Sequence, residues 1–315
     1  MKPNRIFAAA VMFGLVAAVS PAIAHGQDEV SAQTVITVLG KNSEAPAPVQ
    51  ERDLKVEVGG KAVNVTDLVP LRGDRAGLEF VVLIDGSART SLGTQMGDIE
   101  RFVKSLPPTT EVAIAYMQNG SAVFAQPFTT DKQKALEALH LPNGSPGSSA
   151  SPYFCLSNLA KNWPSTNREN RREVVMITDG VDPYNLRFDP ENPYLQSAIN
   201  DSVRAGLIVD SIYWHDQGRY DVGQYQNNAG QSLLLVTAQA TGGKAYWQGL
   251  GNPVSLSPFF DDLSRRLQNQ YELGFQVRGK SKPEIAPLKV KLTMPNTKLD
   301  APQRIAIVPG GVARQ

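Results

Sequence analysis

Two short stretches constrain the fold more than anything else in the chain: LEFVVLID at residues 78–85 and EVVMITDG at residues 173–180. Each is a nearly continuous apolar run that stops at an aspartate. A strand with one wet face alternates apolar and polar residues, so a run without alternation predicts a strand buried on both faces, as in a parallel sheet covered by helices. The segments around them agree. Residues 94–106 place Ile99, Phe102, Val103 and Leu106 at helical spacing, and EVAIAYM at 111–117 predicts the next strand. Asn119-Gly120 predicts a tight hairpin into SAVFAQ, which makes one strand antiparallel. Asp131 predicts the cap of a short helix. Further helices are expected around 153–161, from Pro193 to Arg204 and over 231–241, with LIVDSIYW at 207–214 as another strand and KAYW as the last one. A long polar loop, HDQGRYDVGQYQNNAG, separates LIVDSIYW from the helix at 231–241. Strands alternating with helices in this way predict an α/β fold with an open, mostly parallel, doubly wound sheet.

The chain ends have a different texture. LKVEV at 54–58 alternates as a half-buried strand does, and Gly59-Gly60 turns it into KAVNV. YELGFQV, LKVKLTM and RIAIV near the C-terminus repeat that alternation. Ser257-Pro258 predicts a capped helix with a proline at its first position, carrying Phe260, Leu263 and Leu267. The expected organisation is a signal peptide over 1–24, a linker over 25–33, an N-terminal β-rich segment over 34–72 and an α/β domain over 77–256. A C-terminal helix and strands over 257–315 would pack with the N-terminal segment as one small β-rich side domain.

Lys2 and Arg5, then the apolar Ile6–Val19, then Ala22-Ile23-Ala24 follow the plan of an export signal cleaved before His25. An exported chain whose single cysteine is Cys155 has no internal disulfide and must be held by its core. With 31 basic and 30 acidic residues there is no footprint for nucleic acid, and no later segment has the length and apolarity of a membrane span. The expected location is periplasmic or extracellular.

In an open parallel sheet, ligands bind beyond the carboxyl ends of the strands. Asp85 and Asp179 both lie at such ends, Ser87 follows Asp85 closely, and a Gly/Ser loop around Ser148 and Ser149 leads into the next helix. Carboxylates with hydroxyls form an all-oxygen environment that suits Mg²⁺, Mn²⁺ or Ca²⁺. Strand, Asp-x-Ser, helix, hairpin, Gly/Ser loop, strand and Thr-Asp-Gly, in that order, resemble a von Willebrand factor A-type domain. The flanking TVLGKNSEAPAPVQERDLKVEVGGKAV and FFDDLSRRLQNQYELGFQV resemble those of exported bacterial VWFA-related proteins. The resemblance implies a metal-ion-dependent adhesion site, with Asp85, Ser87 and Asp179 matching its pattern and Ser149 the nearest hydroxyl by loop position to the second-loop threonine, Ser148 and Ser151 being its rivals. Where the family has another serine, this chain has Arg89.

That arginine decides the metal question. Two unit charges ~4 Å apart interact by about 4 kcal/mol at an effective dielectric of ~20, and a divalent ion beside a guanidinium would meet about twice that. An inward Arg89 would therefore displace the ion and pair with Asp85 or Asp179. An outward one would leave Thr90 or Ser91 to supply the missing oxygen. The expected site is degenerate and no cofactor is expected, with Mg²⁺, Mn²⁺ or Ca²⁺ only if that site retains an ion.

The expected function is non-enzymatic recognition of another protein. Arg89, Tyr153, Tyr184, Trp214, Tyr220 and Tyr225, with Tyr194, lie in loops or helix starts after strands among small polar residues, the texture of a binding surface. A structural or assembly role in a cell-envelope complex is the alternative. A hydrolase built on His215-Asp216 is a weaker one, because the chain has neither a G-x-S-x-G elbow nor a phosphate-cradling glycine loop.

Overall fold

The computed structural model describes residues 29–41, 48–88, 90–142, 151–185, 187–215, 223–249 and 251–310, apart from the side chains of Asp74 and Thr90. In chain order the elements are β1 (Glu29–Gly40), β2 (Leu54–Val58), β3 (Lys61–Val63), β4 (Val65–Pro70), β5 (Leu78–Asp85), α1 (Met96–Ser105), β6 (Glu111–Gln118), β7 (Ser121–Thr129), α2 (Lys132–Glu137), α3 (Pro152–Lys161) and β8 (Arg171–Thr178). They continue with α4 (Pro193–Ala205), β9 (Leu207–Tyr213), α5 (Gln224–Thr241), β10 (Ala245–Tyr246), α6 (Ser257–Leu267), β11 (Gln270–Arg278), β12 (Glu284–Leu292), β13 (Thr297–Asp300) and β14 (Arg304–Ile307).

Six strands form the central sheet in the order β10-β9-β8-β5-β6-β7. All neighbours are parallel except β6 and β7, which the Asn119-Gly120 turn joins as an antiparallel hairpin. Both turn residues have positive φ, 48° and 78°, as a type I′ turn demands. Every residue of β5, β8 and β9 is buried, so the unalternating sequences do mark strands covered on both faces. Phe80, Val82, Ile84, Val175 and Ile177 pack toward α1 and α6 on one face. Val81, Leu83, Val174, Met176 and Cys155 pack with α3 and α4 on the other. The fold is thus the doubly wound α/β sheet with one antiparallel edge strand expected from the sequence.

Two further sheets, ordered β13-β1-β11-β4 and β14-β12-β2-β3, share one apolar core that includes Ile36, Leu273 and Phe275 from the first and Val56, Leu288 and Ile305 from the second. In the first sheet, strands from the two chain ends alternate. Neither end can complete that sheet alone.

Four expectations change. β1 begins at Glu29, inside the expected linker, and pairs with β11 from its first residue. Helix α6 belongs to the α/β domain, because Phe260, Leu263 and Leu267 enter that domain's core and Phe260 stacks on Phe102 at 4.6 Å. Ser257 does not cap α6. The carboxylate of Asp98, on α1, accepts the Leu256 and Ser257 amides at 2.8 and 3.0 Å and the Ser255 hydroxyl at 2.6 Å. Finally, α5 starts at Gln224, so part of the expected polar loop is helix. Among the described residues no helix is long and apolar enough to cross a membrane. The expected signal peptide lies outside them.

Candidate functional site

Chain connectivity places the site. From β5 the chain crosses to β6 on one side, and from β8 it crosses to β9 on the other, while β5 and β8 lie side by side. The crevice beyond their carboxyl ends is the switch point where such sheets bind ligands. Asp85 ends β5 and Thr178 ends β8 one rung beyond the Ile84–Ile177 pair, so these two strand ends meet.

Asp85 is buried and fully engaged. Its Oδ1 accepts from the Ser87 amide at 2.9 Å and the Ser87 hydroxyl at 2.8 Å, and its Oδ2 accepts from the Thr178 hydroxyl at 2.6 Å. The Thr178 hydroxyl also receives the Gly180 amide at 3.2 Å, while Asp179 Oδ1 accepts from the Val181 amide at 2.9 Å. These bonds shape the turn after β8. Gly180 has φ +68°, and a Cβ there would lie 2.6 Å from the Gly230 carbonyl oxygen. In return, a Cβ on Gly230 would lie 2.3 Å from the Asp179 carbonyl oxygen. The turn therefore rests on the backbone of α5, which requires both glycines.

Behind the crevice, Ser151 caps α3 by accepting the Tyr153 amide at 3.2 Å, and the buried Tyr153 hydroxyl donates to the Gly180 carbonyl at 3.1 Å. Burial first, then the nearby Asp182 and Asp179 carboxylates, pushes the Tyr153 phenol well above its usual range. Burial also pushes the Cys155 thiol up, to about 12, with the Asp85 carboxylate adding to the effect. Burial raises Asp182, against hydrogen bonds from the Tyr184 amide and Ser151.

The sequence-predicted residues separate into three sets. Asp85, Ser87 and Asp179 come together at the crevice. Arg89, Ser149 and Tyr220 lie outside the described residues. Tyr153 and Trp214 are corrections: both are buried, Tyr153 under the β8 turn and Trp214 with its indole donating to the Ser91 hydroxyl at 3.3 Å, so neither can touch a partner. Their strand-end positions resemble those of surface residues, but their bulk fills space beneath the loops. Tyr184 and Tyr225 are 57 % and 65 % exposed, as is Tyr194 at 55 %. The half-buried Phe154 braces Tyr184 and Tyr194, with ring centroids 5.1 and 5.2 Å away, and Phe188 braces Tyr225 at 5.6 Å.

Sequence reasoning missed Thr178, Phe154 and Phe188. Thr178 carries the one signal that could have found it: it is the last residue of its strand, level with Asp85. Phe188 adopts φ +50°, which is unusual for a bulky residue and holds its ring beneath Tyr225.

A divalent ion of this kind takes about six or more oxygens. The donors here have the right hardness, but both Asp85 oxygens already accept bonds from Ser87 and Thr178. Among the described residues no three carboxylate, imidazole or thiol groups converge. The described residues thus do not supply a complete ion site. Of the His215-Asp216 pair only His215 is described: its Nδ1 lies 3.1 Å from the Asn227 amide oxygen, and its backbone amide and carbonyl bond the Asn252 side chain.

Neither a protein-family model nor a curated protein matches the chain. Among solved structures, it is similar to an aerotolerance-related membrane protein from Bacteroides fragilis NCTC 9343. Identity is 16 %, coverage 61 % of this chain and 98 % of that one, and the TM-score 0.44. The SpRpn10 VWA domain matches at 14 % identity over 61 % of this chain and 97 % of that one, with a TM-score of 0.43. The pilus adhesin SpaC from Lactobacillus rhamnosus GG matches at 8 % identity over 82 % and 48 %, with a TM-score of 0.44. Likeness at this level bears on chain path alone, and the doubly wound fold stands on the strand order and directions of this chain.

Proposed function

We propose that the C-terminal edge of the central sheet is a protein-recognition surface, that the chain is an exported, non-enzymatic, adhesion-like module, and that its metal-ion-dependent site is degenerate. The observation that carries this reading is the set of three exposed tyrosines, Tyr184, Tyr194 and Tyr225, each held by a phenylalanine from below. A braced tyrosine offers a large, rigid, amphipathic contact that loses little entropy on binding. The Asp85–Ser87–Thr178 cluster supports recognition without an ion, because both oxygens of its carboxylate already accept hydrogen bonds.

Two measurements test the two halves. Capture from the exported fraction of the source cells, with the full chain beside a Tyr184→Ala/Tyr194→Ala/Tyr225→Ala variant, addresses recognition. Loss of a specific partner with an unchanged melting temperature is expected, and equal capture by both would sink the surface. Isothermal titration with Mg²⁺, Mn²⁺ and Ca²⁺, beside Arg89→Ser, addresses the ion. No binding at millimolar concentration by the native chain and a 1:1 endpoint for the variant are expected. Native binding that is lost in Asp85→Ala would show an intact metal site instead.

A further inference from the structure

The two arginines that open β8 are neighbours in sequence and equally inaccessible, Arg171 being 8 % exposed and Arg172 5 %. They project to opposite faces of the sheet, as successive strand residues must. Arg172 is saturated. It forms an ion pair with Glu79 at 3.6 Å, donates to the Ser165 and Asn167 carbonyls at 2.8 and 3.2 Å, and lies 5.5 Å from the Trp163 ring centre. Arg171 is less completely matched: burial disfavours its charge, and Glu173, two residues along the same face, offsets that only in part. Its Nη1 makes one long bond to the Leu71 carbonyl at 3.4 Å, and its Nε has no partner among the described residues. The carboxylate next along its face, Glu173, accepts from Gln270 Nε2 at 3.1 Å and faces the Asp210 carboxyl. Buried guanidinium donors without partners are costly, and buried polar groups are otherwise paired.

Arg171 lines a cleft of about 480 Å³ at the N-terminal edge of the sheet, between the C-terminal ends of α1 and α6 and the chain leaving β4. That volume suits a small organic ligand. Leu71, Ala76, Leu106, Pro107 and Leu267 make its walls apolar, and Arg72 stands at its rim with Nε donating to the Gln268 carbonyl at 3.1 Å. The carbonyls at two helix ends oppose an anion here. Several of them are already occupied, Gln268 by Arg72, Arg265 by Asn269 Nδ2 at 2.7 Å and Phe102 by the Ser105 hydroxyl at 2.7 Å.

We propose that this cleft binds a small amphiphilic carboxylate, with its head on Arg171 and its apolar body against Leu71, Ala76, Leu106, Pro107 and Leu267. A guanidinium fork matches a carboxylate in two parallel bonds. Inorganic phosphate is disfavoured, because the helix-end carbonyls and Glu173 oppose its second charge and it brings no apolar body to bury against Leu71, Ala76, Leu106, Pro107 and Leu267.

The test is isothermal titration of the full chain with octanoate, beside octanamide and inorganic phosphate. Octanoate is expected to bind 1:1, with octanamide and phosphate weaker by at least about tenfold. Arg171→Gln should weaken octanoate by at least about tenfold, and Ser264→Phe, which fills the cleft from α6, should abolish binding. The proposal is overturned if octanoate shows no binding up to about 10 mM, if octanamide or phosphate binds within about twofold of it, or if either variant binds it unchanged. Should Arg171→Gln fail to fold, Ser264→Phe and the two comparison ligands still decide. The tyrosine surface lies at the opposite edge of the sheet, so the two proposals stand or fall separately.

Discussion

The two edges of the central sheet treat buried charge in opposite ways. At the C-terminal edge, Asp85 and Asp179 accept hydrogen bonds largely from residues within two positions of themselves, Ser87 and Val181, and Asp85 gains one longer-range bond, from Thr178. At the N-terminal edge, charges meet across the whole chain. Arg266 on α6 pairs with Asp300 on β13 at 2.6 Å, Gln270 on β11 donates to Glu173 on β8, and Asp210 on β9 faces the Glu173 carboxyl and receives the Lys244 amide at 2.8 Å. The first arrangement shapes a turn at the crevice beyond β5 and β8. The second joins the α/β domain to the two flanking sheets, so one edge is a preformed local turn and the other a seam between units.

Removing Arg266 tests the seam most severely. Arg266 is almost wholly buried; burial disfavours its charge, but Asp210, Tyr246 and Asp300 outweigh that and push its guanidinium up. Arg266→Met should cost about 3–5 kcal/mol in denaturant unfolding, since it removes the buried guanidinium that pairs with Asp300 and opposes the burial of Asp210. A cost below about 1 kcal/mol would show that the seam is not held by charge.

Near the crevice, Asp98→Ala should cost about 1–2 kcal/mol, because it removes the shorter acceptor of the Leu256 and Ser257 amides at the start of α6 and leaves them only the longer bonds to Gln95 Oε1 and Ser255 Oγ. Burial works against the Asp98 charge, but hydrogen bonds from Ser255, Leu256 and Ser257 and the Arg101 guanidinium prevail and hold its pKa low. A depressed folded pKa contributes stability that is present above the unfolded value of about 3.9 and is lost as pH falls through the folded one. The difference between native and variant should therefore shrink in acid.

Thr178→Val probes the crevice more gently. It leaves Asp85 Oδ2 without its donor and should cost about 1–2 kcal/mol in thermal or denaturant unfolding, while far-ultraviolet dichroism stays unchanged.

The smallest effect and the opposite pH sign belong to Asp210. Burial and the adjacent Glu173 raise its carboxyl well above the usual range, with Arg266 opposing. The folded state then binds more protons than the unfolded one above about pH 3.9, so this group lowers stability as pH rises from there toward its folded pKa. Asp210→Asn should remove that slope and leave stability near pH 4 within about 0.5 kcal/mol of native. If both variants changed the pH profile with the same sign, the contrast between the edges would be lost.

Legibility in the sequence followed the range of the interactions. The α/β order, the Asn119-Gly120 hairpin and the Asp131 cap, whose Oδ1 accepts the Gln133 and Lys134 amides, could be read because each depends on neighbours or on a period. Asp85, Ser87 and Asp179 were legible for the same reason. Tyr153 and Trp214 were misplaced, since local sequence cannot distinguish an aromatic above a loop from one that fills the space beneath it. The Asp98 cap of α6 was missed because its donor amides lie 158 and 159 residues away.

Taken by itself, the sequence determined the strands buried on both faces, the aspartates at their ends and the β character of both chain ends, because side-chain periodicity and turn chemistry act over a few residues. Only the tertiary structure decided that Thr178 completes the Asp85 cluster, that α6 joins the α/β core and that Arg172 is neutralised while Arg171 faces a cleft. Those outcomes depend on which distant groups share a low-dielectric interior, and hydrogen-bond geometry there is set by packing rather than by spacing along the chain.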